Sequence, residues 1–509
     1  MTYQELLSSV VTEDKFTLVK PYHTDEALNF IKDIMSSEES QVIIMGDWDV
    51  DGVHAAKIVY NDLKEFGLRD DMLKVYFGES KSHGINSDFL RFCQDNSCTH
   101  IIIVDSSSNN LKELSYLKDS GFKIMVIDHH VSQYSYEDYE GICTIVNAKL
   151  PDNEEICEIS AGFLCAILSY YWREALDVAQ TIDNFIYGYI TLHSDSCLLY
   201  DPFMKPLVMY PERLGNRFPL EIEPFTTKYT KLNRNFVSWT YCPKINNLCR
   251  HNRSDLLELL FFKPITPAER SNLVEIVNDL YKKTKEDLDR LIEESDNYVY
   301  EHNGMVLANL DKALQHTTLK WDYLVNSTGL VASRVSEKYK KPALAYINNH
   351  FGEYKMSGRD CNNSINFQNM LKAYNLDGGG HIYAVGFVVP LIDFNTFLKQ
   401  IDISSYTVTE SDFFVWDFTK LNPIKIKSYL GSVARYNEVA TGKLKPIYFK
   451  LKLNFKFEEK QIGKLRTFTY AGLKIKDLKS QTTTDTEVLI RPDITNMGEA
   501  FIVYEEEKK

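Results

Sequence analysis

Four hydrophobic runs along the chain stop abruptly at an acidic residue or a histidine. VIIMG at 42–46 precedes Asp47, HIIIV at 100–104 precedes Asp105, IMVI at 124–127 precedes Asp128-His129-His130, and YGYITLHS at 187–194 precedes Asp195. Runs of this length, rich in β-branched residues, are what a strand buried on both faces of a parallel sheet requires, and such strands deliver polar residues to the sheet's carboxyl edge. Between them, helical spacing is read at Val53–Phe66, Ser160–Trp172 and Val178–Tyr187. The alternation predicts an α/β fold with a parallel sheet.

Beyond residue 263 the pattern changes twice. Thr266 and Glu269 have capping-box spacing, Pro267 takes the first helical position, and Leu273, Ile276, Val277, Leu280, Leu288, Leu291 and Ile292 follow near a 3.6-residue period. This predicts one helix to about Ser295, serving either as a connector between lobes or as an ordinary amphipathic surface helix. Residues 299–404 read as a smaller α/β unit containing Gly378-Gly379-Gly380-His381. In YFKLKLNFKF at 448–457, Phe449, Leu451, Leu453, Phe455 and Phe457 alternate with Lys or Asn, which predicts a half-buried antiparallel strand in a small all-β module. The expected organisation is 1–263, a connecting helix at 264–298, then 299–404 and 405–509.

A chain of 509 residues exceeds one core, which agrees with this division. It has no apolar run of membrane-spanning length, and its first residues lack the order of a signal peptide. Nine cysteines without a C-x-x-C pair suggest reduced thiols and a cytoplasmic setting. The net charge of −14 opposes a nucleic-acid partner at first sight, but Phe418–Arg491 holds 16 Lys or Arg against 6 Asp or Glu. A basic module on an acidic body suits nucleic-acid binding, and cations would neutralise part of that body's charge.

Asp47-x-Asp49-x-Asp51-Gly52 offers three short carboxylates at alternate positions where a strand ends, and hard divalent cations take such oxygen ligands. Alone, the string also fits a solvated loop. A calcium loop of EF-hand type is excluded, because its twelfth position is Ile58 rather than Glu. Adjacent His129 and His130 add imidazole, which favours Mn²⁺, Fe²⁺ or Zn²⁺ over Mg²⁺.

Taken together, these segments resemble the DHH phosphoesterase superfamily and, within it, the RecJ-like single-strand exonucleases. Gly46-DWDVD-Gly52 resembles the first family motif, with Met45 where many members have histidine and Asp47 in its place at the metal. Asp105 matches the second motif, Asp128-His129-His130 the third and Asp195 the fourth, although Ser194-Asp195 stands for the more usual Ala-Asp. Pro243, Ile245, Asn246 and Arg250 continue the resemblance, with Cys249 replacing a glycine. Ser327–Tyr346, Met356-Ser357-Gly358-Arg359 and Gly378–Phe387 resemble the companion DHHA1 domain.

The resemblance implies two divalent cations, Mn²⁺ ahead of Mg²⁺, on Asp47, Asp49, Asp51, Asp105, His129 and Asp195. Asp105 would bridge them, with Asp128, His129 and His130 also catalytic and His130 nearer the substrate phosphate. Arg250, Arg334, Ser357, Arg359, Gly379, Gly380 and His381 would bind substrate. Also implied are 5′→3′ release of mononucleotides from single-stranded DNA ahead of RNA, an OB-like C-terminal module, a monomer without a membrane, and replication or repair proteins as partners. Two alternatives stand beside this reading: a phosphodiesterase of short oligonucleotides or cyclic dinucleotides, and a non-catalytic replication or repair scaffold of the same fold.

Overall fold

The computed structural model describes residues 20–509 apart from 79–83, 151–158, 196, 198–216, 362–364, 377, 382–383, 404–413, 418–446, 453–457, 463–464, 471–472, 478–486, 493–498 and 504–509. Three sheets organise the described residues. The first has five strands, β1 (Val42–Gly46), β2 (Leu73–Tyr76), β3 (His100–Val104), β4 (Lys123–Asp128) and β5 (Thr144–Asn147), in the order 2-1-3-4-5 with every pairing parallel. Strands β1 and β3 are buried along their whole length, as their unbroken apolar runs demand. Around them lie α1 (Thr24–Met35), α2 (Val50–Glu65), α3 (Ser87–Asp95), α4 (Leu111–Asp119), α5 (Ala161–Ala175) and α6 (Ile182–Ser194).

One sequence expectation fails here. The run that ends at Asp195 is not a strand: it forms the second half of α6, and Asp195 caps that helix's C-terminus. The helix expected at Val178–Tyr187 therefore begins later and continues to Ser194. Residues Ile186–His193 are buried on all sides, so no polar stripe marks the helical period.

After α6 come α7 (Cys242–Arg250), entered through a π-helical turn at Val237–Tyr241, and α8 (Ser254–Phe261). Helix α9 (Pro267–Glu293) has the Thr266/Glu269 capping box and Pro at its first turn, as the spacing predicts. The second sheet comprises β6 (Val299–His302), β7 (Met305–Asn309), β8 (Ala343–Asn348), β9 (Glu353–Arg359), β10 (Gly378–His381) and β11 (Ala384–Pro390), in the order 10-11-9-8-7-6. It is mixed, with β7–β8 parallel across α10 (Thr328–Tyr339). Arg334 of α10 pairs with Asp289 of α9 at 2.8 Å, and His251 Nε2 lies 2.8 Å from Thr284 Oγ1. Helix α9 thus bonds to α10 on one side and to the end of α7 on the other.

The third sheet has seven strands, β12 (Phe414–Asp417), β13 (Ile447–Lys452), β14 (Glu458–Ile462), β15 (Leu465–Tyr470), β16 (Leu473–Asp477), β17 (Glu487–Pro492) and β18 (Glu499–Val503). Its pairings are antiparallel except β12–β13 and β16–β18. Lys450 is exposed and Leu451 buried, as alternation predicts. Leu453, Phe455, Lys456 and Phe457 lie outside the described residues. No described helix is long and apolar enough to cross a membrane. The eight described cysteines are free thiols.

An ion pair anchors α2 to α5. Arg173 Nε donates to Asp62 Oδ1 at 2.7 Å, and Nη1 donates to Glu65 and to the Ala179 carbonyl; Arg173 and Asp62 are both fully buried. Arg173→Met leaves Asp62 buried without its cation and is expected to lower unfolding stability by about 3–5 kcal/mol, with much of the loss recovered in Arg173→Met/Asp62→Leu. Denaturant melts of the three proteins check this; an Arg173→Met protein as stable as wild type would refute it.

Candidate metal centre

Strand β1 ends at Gly46, and the chain closes tightly on itself before α2 begins. A Cβ on Gly52 would lie 2.4 Å from the Asp47 nitrogen and 2.5 Å from its carbonyl oxygen, so only glycine permits this approach. Gly52 therefore serves close packing inside the first turn of α2 rather than a turn before it. Asp49 is the N-cap of α2, and its Oδ1 accepts from the Asp51 and Gly52 amides at 2.9 and 3.2 Å. Asp51 is gripped from a distant part of the chain. The first amides of α5, Ala161 N and Gly162 N, donate to its two carboxylate oxygens at 2.8 and 2.7 Å.

Asp105 and Ser107 follow β3 with φ of 62° and 77°, in the left-handed region that L-residues seldom occupy. Strain of this kind concentrates at functional sites. Asp128 ends β4 and is fully buried. Its Oδ1 accepts from His129 N, His130 N and His130 Nδ1, and its Oδ2 from Ser108 N at 3.1 Å. The acid of this motif therefore orients His130 rather than His129. Burial opposes the charge on Asp128, but His130 and His129 outweigh it and hold the carboxyl far below its usual range.

His129 is different. Its Nε2 lies 3.1 Å from Asp195, 3.2 Å from Asp105 and 3.6 Å from Asp51, yet neither ring nitrogen makes a hydrogen bond, and Asp105 Oδ1 is equally orphaned. Burial and the nearby Asp49, Asp195, Asp47 and Asp128 push Asp105 well above the carboxylate range; burial, Asp105 and Asp195 do the same to Asp51. Burial would lower His129, but Asp195, Asp51 and Asp128 override it and raise the imidazole to about 9.

Three groups of donor atoms close enough to share an ion overlap here: Asp47-Asp49-Asp105, Asp51-His129-Asp195 and Asp105-His129-His130. Crowded carboxylates with imidazole, and orphaned buried atoms facing one another, fit one or more divalent cations of the Mn²⁺ or Mg²⁺ class. Met45, by contrast, is buried in the core.

The remaining sequence candidates fall on the second lobe and on α7. Arg250 ends α7, one turn beyond Asn246, whose Oδ1 accepts from Val50 N at 3.2 Å. Cys249 is helical and buried, so the replaced glycine strains nothing. Arg359 donates from Nη1 to the Gly358 and Val385 carbonyls, while its Nη2 faces Gly329, where an added Cβ would come within 2.5 Å. Burial and then Arg250 pull Arg359 down to about 10. Ser357 Oγ lies 2.8 Å from Thr328 Oγ1. Arg334 is engaged by Asp289. Gly379, Gly380 and His381 form an edge strand paired to β11 rather than a turn, and their side chains lie outside the description.

Sequence reasoning missed Ser108, Ala161, Gly162 and Ser327. The hydroxyl of Ser327 is buried without a hydrogen-bond partner at the N-terminus of α10. The helical pattern from Ser160 marks where α5 starts, but nothing local marks a grip on Asp51.

The DHH family N-terminal domain matches residues 41–187, and the DHHA1 domain matches residues 311–403. The single-stranded-DNA-specific exonuclease RecJ of Bacillus subtilis (strain 168) is 25% identical over 403 residues, which is 76% of this chain and 48% of that protein. RecJ of Haemophilus influenzae is 20% identical over 398 residues, 72% of this chain and 66% of that one. The chain thus spans about half to two thirds of the length of these relatives. RecJ from Thermus thermophilus in complex with Mn²⁺ shares the fold with a TM-score of 0.71 at 17% identity, over 96% of this chain and 72% of that one. An exonuclease RecJ bound to manganese gives 0.57 at 19%, over 76% of this chain and 97% of that one.

A carboxyl raised on folding adds stability only while protonated, and the benefit is lost as pH rises from about 4 toward its folded value. At pH 7 Asp105 therefore costs stability in cation-free protein. Asp105→Asn removes the charge and tolerates the left-handed backbone. It is expected to raise the metal-free Tm by roughly 2–4 °C, the shift for about 1 kcal/mol, and to shrink the further rise that Mn²⁺ produces. Thermal melts with and without Mn²⁺ decide; an unaltered Mn²⁺ response would remove Asp105 from the centre.

Proposed function

The chain belongs to the RecJ-like DHH superfamily, and from that premise we propose that it is a 5′→3′ exonuclease that hydrolyses single-stranded DNA to mononucleotides with two divalent cations. One observation carries the reading. The buried cluster around His129 adjoins α7, where Arg250 lies one turn beyond Asn246; the Arg250 carbonyl accepts from Asn326 at 3.4 Å, just before α10, whose Gly329 faces Arg359 Nη2. Neither arginine has a carboxylate within ion-pair distance among the described residues. Cation ligands next to unneutralised guanidiniums suit a phosphate held between two lobes.

Asp47, Asp49, Asp51, Asp105, His129 and Asp195 would hold the cations. Bound there, the cations would supply the charge that activates water and offsets the oxyanions of the reacting phosphate. Each part of the chain has its own task. Asp128 fixes the tautomer and direction of His130, whose half-exposed ring is kept readily protonated: burial opposes the proton, and Asp128 prevails. His130 thus offers a proton or hydrogen bond to phosphate at the rim. Arg250, Arg359, Ser357 and the N-terminus of α10, with the orphaned Ser327 hydroxyl, cradle a second phosphate and set the strand's position. The glycine-rich edge strand with His381 borders Arg359 through β11. The C-terminal sheet, read as an OB-like module with Lys450 on its open face, favours a polymer over a dinucleotide.

End-labelled 5′-phosphorylated DNA, RNA, dinucleotide and cyclic dinucleotide with Mn²⁺ test this reading. Mononucleotides are expected first from the 5′ label of DNA. First release from the 3′ label overturns the polarity, and cleavage confined to dinucleotides transfers the enzyme to short substrates. Arg359→Ala is expected to raise KM for 5′-phosphorylated strands about tenfold or more, the loss of a charge-assisted contact, and to raise it much less for 5′-hydroxyl strands. Equal effects on both would separate Arg359 from the terminal phosphate.

A further inference from the structure

In this acidic chain, Thr226–Arg250 contains five Lys or Arg and no Asp or Glu. Among the described residues of the first lobe, the same stretch carries the two most exposed aromatic side chains, Tyr229 at 79% and Trp239 at 77% exposure. Isolated exposed apolar residues are ordinary on protein surfaces. Here they coincide with an acid-free basic segment that borders the cation cluster.

The position of that segment is fixed at several points. The Tyr241 hydroxyl, at the end of the π-helical turn, lies 2.9 Å from His54 Nε2 on α2, and Phe236 and Val237 are buried in the core of the first lobe. The Cys242 thiol is raised first by burial and then by the Asp49 and Asp195 charges. Asn246 bonds to Val50 N beside Asp49. Trp239 lies between Arg234 and Cys242 on the π-helical turn, roughly 10 Å along the axis from Asn246 at about 1.5 Å per residue. Single-turn π-helices recur at functional sites.

Tyr229 is presented rather than loose. Thr227 N bonds to Thr230 Oγ1 at 2.8 Å, Thr230 N to Thr227 O at 2.9 Å, and Tyr229 N to Thr227 Oγ1 at 3.3 Å, closing a small turn with the ring outside it. Lys228 Nζ stands 5.0 Å from that ring's centroid. Lys228, Lys231 and Lys244 have no carboxylate partner among the described residues. A rigid aromatic with a cation beside it, in an acid-free segment that leads to a phosphate-cleaving centre, has the composition of a single-strand track.

We propose that Tyr229 and Trp239 are stacking platforms for successive bases of a single strand, whose phosphates are drawn by Lys228, Lys231, Arg234 and Lys244 toward the cation cluster. The inference rests on the nuclease reading above and adds a second binding surface on the first lobe. It also accounts for a polymer preference without the C-terminal module. Stacking reads no sequence, so the track is expected to be tolerant of base identity.

The test uses the full chain. Binding of a labelled strand of about 20 nucleotides is measured by anisotropy in the presence of chelator, and hydrolysis of the same strand and of a dinucleotide is measured with Mn²⁺. Tyr229→Ala and Trp239→Ala are each expected to weaken strand binding at least about fivefold, and to lower kcat/KM on the long strand at least about fivefold more than on the dinucleotide. Lys228→Gln with Lys231→Gln is expected to flatten the dependence of log Kd on log salt by about 1.4. Tyr116→Ala, at an exposed aromatic on α4, is the control and changes neither. Unchanged strand affinity in both aromatic variants overturns the track, as does an equal loss on long and short substrates, which would indicate a disturbed centre. If the wild-type chain binds no single strand at all, the nuclease reading fails first and the track falls with it.

Discussion

Buried charge is the constraint on which the first lobe is built. Asp51, Asp105, Asp128 and His129 are nearly closed to solvent within a few ångströms of one another, and burying an ionised carboxylate without compensation is among the costliest events in folding. Each member is compensated differently, and the differences define their roles. Asp51 takes two amides from the start of α5. Asp128 takes amides of its own turn and of Ser108, together with the His130 ring. Asp105 Oδ1 and both nitrogens of His129 make no hydrogen bond, although His129 Nε2 lies 3.2 Å from that oxygen. Those uncompensated atoms face one another, and a cation is the group that would satisfy them together.

The scaffold shows what is required to hold such a cluster in place. Parallel strands bring Asp47, Asp105 and Asp128 to one edge, while α6 supplies Asp195 from its C-terminus. Close backbone approaches permit the packing: Gly52 against Asp47, and Gly162 against Thr191 and Asp51. Left-handed backbone at Asp105 and Ser107 precedes Ser108, whose amide reaches Asp128 Oδ2. The second lobe contributes the opposite charge. Arg359 Nη2 faces Gly329 of α10 and the Arg250 backbone bonds to Asn326 just before that helix, and neither has a carboxylate partner among the described residues, so electrostatics favours anions there, as it favours cations at the cluster.

Much of this could be read in advance, for a local reason. VIIMG, HIIIV and IMVI announce strands because a strand covered on both faces must be apolar at every position, and the acid that follows must then lie at the edge. The Thr266/Glu269 box announces α9 through bonds made within one turn. The pattern before Asp195 predicts a strand end, whereas Asp195 caps the helix α6. A short apolar run that is buried on all sides has no period to separate strand from helix, and Ile186–His193 is such a run. Gly378 permits the close antiparallel pairing of β10 with β11, where an added Cβ would lie 2.6 Å from the Gly386 carbonyl oxygen.

What the sequence determined by itself is the chemistry available: which carboxylates and imidazoles end buried strands, where the long helix starts, and where basic residues gather. What tertiary structure decided is how each group is used. Asp51 and Gly162 are 111 residues apart, Arg250 and Arg359 come from different lobes, and Asp128 turns to His130 rather than His129. Those choices depend on which buried polar atom finds a partner, and that follows from the packing of distant elements rather than from local residue pattern.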